Sequence, residues 1–316
     1  MNIKIIELFG GIGAPRKALK NLGINVETVY VENSKKVVDV YNTIYNENEE
    51  TIDIRNFKAK KDNYELLIAG FPCQPFSQAG KRLGFEDERG KLYKDTLRII
   101  EETLPDNIIL ENVKGILRKE NKWIIDEIVS FLENLNYSVI YKVMNAYEFG
   151  YIQKRERIFV IASKTKKLDL DYFEDYLDKY KKFDNRKNEI KEFFNQESEI
   201  LTYNVDEIKE AENYFIIPRK KDGKLISGSY NRIWKYGKAL GTITISNTLK
   251  IGIIKNDKLY YRQITPKEAF LSMGFTEKDY NLIENSKISK SSINFVAGNS
   301  MVVGIIEIII NFIFFN

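Results

Sequence analysis

The chain reads as an α/β protein built on a mainly parallel, doubly wound sheet with helices on both faces. Over residues 1–163, six short apolar runs alternate with stretches whose apolar residues recur every three or four positions. Alternation of this kind builds parallel sheets covered on both faces. Near Lys164 the alternation stops and charge becomes dense, so a second, smaller domain is expected over residues 164–289.

The apolar runs, in order, are "IKIIELF", "VETVYVE", "ELLIAGF", "NIILENV", "YSVIYKVMNA" and "RIFVIAS". Each predicts a strand. The helical stretches between them are "PRKALKNL", "KKVVDVYNTIY", "LYKDTLRIIEETL" and "KWIIDEIVSFLENL". Most of residues 164–210 reads as a solvated, charged helical surface. From Pro218 to Lys238 there are seven basic residues and one acidic, interleaved with Tyr230, Trp234 and Tyr236. The run "GTITISNTLKIGIIKNDKLYYRQIT" then predicts short strands.

Composition removes several chemistries. The chain has one cysteine and no histidine. An internal disulfide is excluded, and so are zinc sites of four cysteines or of mixed cysteine and histidine. Any general base is a carboxylate, lysine, tyrosine or water. A net charge of +4 means that an anionic partner must meet a local basic surface. No run resembles a signal peptide, because a strand-like run begins almost at once. The tail "MVVGIIEIIINFIFFN" is short of the roughly 20 residues that span a bilayer. It also carries Glu307 and Asn311, which share one face if it is helical, so a core element is expected rather than a membrane span.

Ligands of open α/β sheets bind beyond the carboxyl ends of the strands. The first such end is Gly10-Gly11-Ile12-Gly13. A dinucleotide fingerprint starting at Gly11 needs a third small residue where Arg16 stands, and no Gly-Lys-Ser/Thr follows for a phosphate loop. The turn either admits a ligand close to the backbone or simply joins strand to helix. Glu32 ends the second run, nineteen residues after Gly13. A carboxylate there can accept from both hydroxyls of a ribose, or stand at the surface. Asp53 in "TIDIRNF" falls where a third strand would end and can accept from an adenine amine. Together these describe an adenosine site without a diphosphate, which S-adenosylmethionine fits.

The sole cysteine, Cys73, sits between Pro72 and Gln74-Pro75 directly after an apolar strand. Cysteines are commonly buried packing residues. Two prolines stiffening a loop at the ligand edge favour a nucleophile instead, because the thiolate is reactive. Glu111, ending "NIILENV", faces the same crevice. Shielded from water it can hold a proton near neutrality and act as an acid; otherwise it is an exposed strand-end carboxylate. Gln153, Arg155 and Arg157 fall at two-residue spacing, which on a strand puts all three on one face, suited to a flat heterocycle or a phosphate. A solvated basic edge strand is the plainer reading. The basic, aromatic stretch 218–238 suits phosphate contact with base-edge reading, or is a solvated charged face.

In order, "ELFGGIGA", "VENS", "DI", "GFPCQPFS", "RGKLYKDTLRI", "ENVKG", "NAYEFGYIQKRERIF", "RQITPKEAFLSMGF" and "AGNSMVV" resemble the bacterial and phage DNA (cytosine-5)-methyltransferases. The likeness runs through most of residues 3–163 and again through 260–304. PCQPFS, ENV and QxRxR, in this order, are its most specific parts. Glu7 replaces a usual aspartate and Ala14 a usual glycine, both mild departures.

The resemblance implies the S-adenosylmethionine-dependent methyltransferase fold with a smaller target-recognition domain. Residues 1–163, completed by 290–316, would be catalytic and cofactor-binding; 164–289 would be the target-recognition domain and hinge. The implied activity is sequence-specific methylation of carbon 5 of a cytosine rotated out of double-stranded DNA. Cys73 would add to carbon 6 and Glu111 would bond ring nitrogen 3 and the exocyclic amine. Arg157 would hold the base's carbonyl oxygen, with Arg155 and Gln153 ordering the site.

Cofactor contacts are expected from Phe9, Gly11, Ile12, Gly13, Glu32, Asn33, Asp53, Ile54, Gly70, Pro72, Leu92, Asn299 and Ser300. DNA contacts are expected from Ser77, Gln78, Gln153, Arg219, Lys220, Lys221, Arg232, Thr242 and Thr244. Loop 76–92 is expected to close over DNA. No metal is implied. The implied protein is a cytoplasmic monomer without membrane contact, with a cognate restriction endonuclease as a functional partner. Two other readings stay open: a transfer-RNA cytosine-5 methyltransferase, and a catalytically silent DNA-binding regulator. The long recognition region and "FPCQPFS" favour DNA over RNA; Cys73, Glu111 and the glycine turn favour catalysis over silence.

Overall fold

The computed structural model describes residues 1–72, 92–181, 201–204, 208–217, 219–221, 224–226, 232–246 and 249–316, with the backbone alone at 203–204, 219–221 and 224–226. The chain packs as two units. The first comprises Met1–Asn145, Glu156–Lys181 and Ser300–Asn316; the second comprises Ala146–Arg155 and Lys182–Asn299.

In the first unit β1 (Asn2–Leu8), β2 (Asn25–Val31), β3 (Leu66–Ala69), β4 (Asn107–Val113), β5 (Ser138–Asn145) and β6 (Glu156–Ser163) form one sheet, ordered β2-β1-β3-β4-β6-β5. Strands β1 to β4 pair in parallel, while β6 runs antiparallel to both β4 and β5. The six apolar runs are these six strands. β3 and the apolar part of β4 are buried on both faces, which is why they read as unbroken apolar runs. β2 lies at the sheet edge; it alternates exposed with half-buried positions over residues 25–28 and is buried at Tyr30 and Val31.

Helices α1 (Ala14–Asn21), α2 (Lys35–Tyr45), α3 (Leu92–Thr103) and α4 (Lys122–Asn134) follow the predicted helical stretches closely. Ile6, Leu8, Leu67, Ala69, Ile108 and Leu110 put one sheet face into a core with Leu97 and Ile100 of α3 and Ile124, Ile125 and Ile128 of α4. On the other face, Tyr30 of β2 packs on Val38 and Tyr41 of α2. The α/β, mainly parallel expectation is borne out.

Two further helices complete this unit, α5 (Leu170–Asp178) and, later in the chain, the apolar tail. The tail helix spans Val303–Phe315 and packs on α1 and α5. Its two polar positions are used on its half-buried side: Asn311 donates to the hydroxyls of Tyr176 and Tyr180, and Glu307 accepts from Asn21. It is a core helix of this unit.

The second unit holds β7 (Leu201–Asn204), β8 (Lys209–Glu210), β9 (Tyr214–Ile216), the hairpin β10 (Arg219–Lys221) and β11 (Lys224–Ile226), β12 (Arg232–Lys235), β13 (Lys250–Lys255) and β14 (Lys258–Gln263). Apart from the hairpin, these form a sheet ordered β7-β14-β13-β12-β9-β8. The β13–β14 turn has Asn256 and Asp257 both at positive φ, the backbone a tight hairpin requires. Helices α6 (Pro266–Leu271), α7 (Glu277–Glu284) and α8 (Lys290–Asn299) follow, so the tail helix is α9. A buried bidentate pair between Arg262 and Glu268 joins β14 to α6, and Thr265 caps that helix.

Three expectations differ from the structure. Thr51–Asp53 forms no strand: a single bond from Ile52 N to Glu32 O (2.8 Å) replaces a ladder, and Asp53 opens a turn. Residues 241–246 are also irregular, so among the described residues the strands of that predicted run are β13 and β14. Residues 201–204 and 209–210, inside the stretch read as mostly charged helical surface, are instead strands β7 and β8, because they pair with β14 and β9.

Candidate active site

Several of the residues expected at a cofactor lie around the carboxyl ends of β1 and β2. The chain leaves β1 through Phe9 at positive φ and turns at Gly10–Gly13, with Gly13 N bonded to Gly10 O (3.0 Å). Gly13 has φ +71° and precedes α1. A Cβ there would lie 2.6 Å from the Tyr45 ring and 2.7 Å from that of Tyr41, so both backbone and space demand glycine. Glu32, at the end of β2, accepts from Ser34 N (2.9 Å) and Gly11 N (3.3 Å). Burial pushes its carboxyl above the ordinary value, against the pull of those amides.

A cleft opens beside this turn, lined by Phe9, Val31, Glu32, Asn33, Ile52, Asp53, Ile54, Arg55 and Leu92. Phe9, Glu32, Asn33, Asp53, Ile54 and Leu92 were expected at the cofactor. Val31, Ile52 and Arg55 were not. Val31 is the last residue of β2, and Ile52 is brought there by the bond from its N to Glu32 O. Arg55 carries a fainter signal, standing two residues after Asp53: it brackets that carboxylate at 2.5 Å and holds it below its ordinary range. Gly11, Ile12 and Gly13 form the turn at the cleft's edge. Asn299 closes the second unit, exposed, and Ser300 opens the last segment of the first, buried, with its hydroxyl donating to Met301 O. Neither lines the cleft.

The second cluster lies at the ends of β3, β4 and β6. Glu111 of β4 and Arg157 of β6 form an ion pair, Nε to Oε1 3.0 Å, with side chains 13% and 16% exposed. The register explains the meeting: Val113 pairs with Arg157 and Glu111 with Phe159, so the two side chains are diagonal neighbours on one face. Arg157 also donates from Nη1 to Glu156 O (2.8 Å). Beside them, Gly70 follows β3 so closely that an added Cβ would meet Met301 Cε at 2.8 Å and Glu111 Oε2 at 3.6 Å. Buried Asn112 donates from Nδ2 to Phe71 O (3.1 Å), which ties the chain just before half-buried Pro72 to the end of β4. Cys73, Ser77, Gln78 and the loop expected to close over DNA, up to residue 91, lie outside the described residues.

Gln153, Arg155 and Arg157 do not share a strand face. β6 begins only at Glu156, and Gln153 makes a single bridge to Leu240. Gln153 is fully buried in the second unit, donating to Ser272 O (3.0 Å) and accepting from Ile243 N (3.3 Å). Arg155, 3% exposed, donates to Ile243 O and Gly298 O, both at 3.0 Å. The two side chains therefore grip one residue's main chain from both sides, because chain 152–154 is already bonded to Leu240 and cannot extend β6. On either side of Ile243 stand Thr242, whose hydroxyl donates to Lys154 O (2.7 Å), and exposed Thr244, beside the Ser246 hydroxyl. Arg232 is exposed on β12 with its guanidinium 4.8 Å from the Tyr214 ring centre. Arg219, Lys220 and Lys221 form β10; their side chains are outside the described residues.

The family model "C-5 cytosine-specific DNA methylase" matches residues 3–314. Type II methyltransferase M.HhaI of Haemophilus parahaemolyticus is 40% identical over 162 residues, 51% of this chain and 49% of the relative; M.DsaV of Dactylococcopsis salina is 39% identical over 165 residues, covering 52% and 46%. The matched stretch thus spans about half the length of these two relatives. M1.ScrFI of Lactococcus lactis subsp. cremoris is 30% identical over 297 residues, 93% of this chain and 75% of the relative. The crystal structure of S. pombe Dnmt2 methyltransferase superposes with a TM-score of 0.70 at 18% identity, covering 98% of this chain and 97% of that one, which speaks for the fold. With the sheet order, the Glu111–Arg157 pair and a family match over nearly its whole length, the chain belongs to the C-5 cytosine-specific DNA methylase family.

Proposed function

We propose that this chain transfers the methyl group of S-adenosylmethionine to carbon 5 of a cytosine in double-stranded DNA. The observation that carries the reading is the Glu111–Arg157 pair. A carboxyl and a guanidinium 3.0 Å apart, withdrawn from water at the ligand edge of the sheet, offer hydrogen-bond partners to one edge of a pyrimidine. The cleft at β1 and β2 fits the donor's nucleoside: Glu32 can accept from the ribose hydroxyls, Asp53 from the adenine amine, and no phosphate-binding loop is present. When bound, the donor supplies an electrophilic methyl group.

The chain's own residues make carbon 5 able to accept it. Cys73, as thiolate, forms a bond to carbon 6 while the ring's electron pair moves toward nitrogen 3, where Glu111 delivers a proton. Arg157 holds the carbonyl oxygen. Carbon 5 becomes enamine-like, and once it carries the methyl group it loses its own proton to a base. The carbon 6–sulfur bond then breaks, Glu111 recovers its proton, and the thiolate returns. With no histidine in the chain, the cysteine proton goes to a carboxylate, water or phosphate. A stacked base is out of reach, so the cytosine rotates into the pocket.

The division of labour belongs to the same proposal, with target recognition in 164–289 and catalysis in 1–163 and 290–316. So do a monomeric state, a cytoplasmic location and a cognate restriction endonuclease as functional partner. Labelled donor incubated with duplex DNA and with transfer RNA tests the reading. Label at cytosine carbon 5 in DNA is the expected result; label confined to RNA, or none, overturns it.

A further inference from the structure

Arg16, which breaks the dinucleotide fingerprint, belongs to a layer of side chains directly behind the glycine turn. Its guanidinium sits 4.6 Å from the Tyr45 ring centre and 5.6 Å from that of Tyr41, donates to the Tyr41 hydroxyl (2.9 Å) and pairs with Glu47 at 2.6 Å. Tyr41 stacks on Tyr30 with ring centres 3.9 Å apart, and lies 4.8 Å from Tyr45. Two hydroxyls of this layer end on the turn: Tyr30 donates to Gly11 O and Tyr45 to Gly13 O, each at 2.6 Å. Tyr41 is fully buried and Tyr30 is 2% exposed, so the layer is preformed.

We propose that Tyr30 and Tyr45 are positioning residues that set the peptide planes of the glycine turn for ligand binding, with Arg16 clamping the rings. The proposal rests on the methyl-donor reading of the adjoining cleft. In a trans peptide the N–H points opposite to the C=O. Drawing the Gly11 and Gly13 carbonyls toward the tyrosines turns the amides of Ile12 and Ala14 away from them. Both glycines have positive φ, +56° and +71°, where a free turn exchanges between several conformations. Pinning two of its carbonyls removes that freedom before the ligand arrives, and preorganisation of this kind appears as affinity. It also explains why a large cation stands where the fingerprint has a small residue: Arg16 points away from the turn's amides, into the aromatic layer.

Tyr30→Phe and Tyr45→Phe keep the rings and delete only the hydroxyls. Calorimetric titration with S-adenosylhomocysteine, and steady-state kinetics on duplex DNA, should show a five- to tenfold rise in Kd and in the donor KM for each variant. The kcat at saturating donor should stay within twofold of wild type, a split that a merely structural role would not produce. Arg16→Gln leaves all three rings and hydroxyls in place and should raise Kd about threefold; it serves if a hydroxyl deletion impairs folding. Variants that bind within 1.5-fold of wild type overturn the positioning role while the methyl-donor reading stands. Failure of the unsubstituted protein to bind S-adenosylhomocysteine overturns both.

Discussion

Arg157 Nε lies 3.0 Å from Glu111 Oε1, across two antiparallel strands and 46 positions of sequence. Both side chains are more than four-fifths withdrawn from solvent. Loss of either leaves the other charge poorly solvated, so their substitutions should not behave as surface changes.

Glu111→Gln keeps shape and most hydrogen bonding but cannot deliver a proton. The expected loss in kcat is at least about a hundredfold, the scale of general acid–base contributions. Arg157→Lys keeps charge without the planar fork, and kcat/KM should fall about tenfold or more. Steady-state methylation of duplex DNA measures both; near-normal turnover in either variant removes that residue from the chemistry.

Cys73→Ser should bind duplex DNA normally and form no denaturant-stable adduct with DNA containing 5-fluorocytosine, whereas the unsubstituted protein should. The fluorine blocks loss of a proton from carbon 5, so a covalent intermediate accumulates if one forms. A trapped complex with the serine variant would assign the attack to another group.

Glu32→Ala removes the acceptor at the end of β2 and should weaken S-adenosylhomocysteine binding about tenfold, a loss on the scale of one charge-assisted hydrogen bond. Calorimetry reads this directly. Unchanged affinity would mean that the carboxylate serves only the Gly11 and Ser34 amides.

Glu7 is wholly buried on β1, and neither of its carboxylate oxygens has a hydrogen-bond partner among the described residues. Burial raises its pKa from 4.5 to about 8, opposed only partly by the adjacent Arg16. The folded state therefore holds a proton that the unfolded chain releases. This favours folding fully below about pH 4.5; as pH rises toward 8 the advantage falls by up to roughly 1.4 kcal/mol per unit, and above 8 no more is lost. Glu7→Gln should flatten the decline in denaturation midpoint between pH 5 and 8 and be the more stable protein at pH 8. Parallel pH profiles for the two proteins would contradict the assignment.

Arg155→Ala deletes two charge-assisted bonds to Ile243 O and Gly298 O, and leaves both carbonyls in a buried site. Unfolding should be easier by about 3 kcal/mol, and hydrogen exchange should rise around residues 241–246. Exchange unaltered there would show that the grip on Ile243 is not what orders this segment.

The six strands of the first sheet and the first four helices were legible because each carries its own period: unbroken apolar runs for buried strands, three- and four-residue spacing for helices. The cleft beside β1 and β2 was partly legible for a related reason. Phe9, Glu32 and Asn33 follow strand ends, and a parallel sheet brings its strand ends to one edge. Thr51–Asp53 failed this test because three residues cannot show a period. Gln153 and Arg155 failed differently: two-residue spacing implies a shared face only while the strand continues, and here the chain bonds Leu240 instead.

Over residues 1–163 the sequence alone determined the order of strands and helices, the glycine turn, and the residues able to do chemistry at the strand ends, since local periodicity and residue type express all of these. Only the tertiary structure decided which of them meet. β6 inserts between β4 and β5, antiparallel to both, and that non-local pairing puts Arg157 on Glu111 while Arg155, two residues earlier, is gripping Ile243. Pairing between distant strands depends on how whole faces bury, and no local pattern states it.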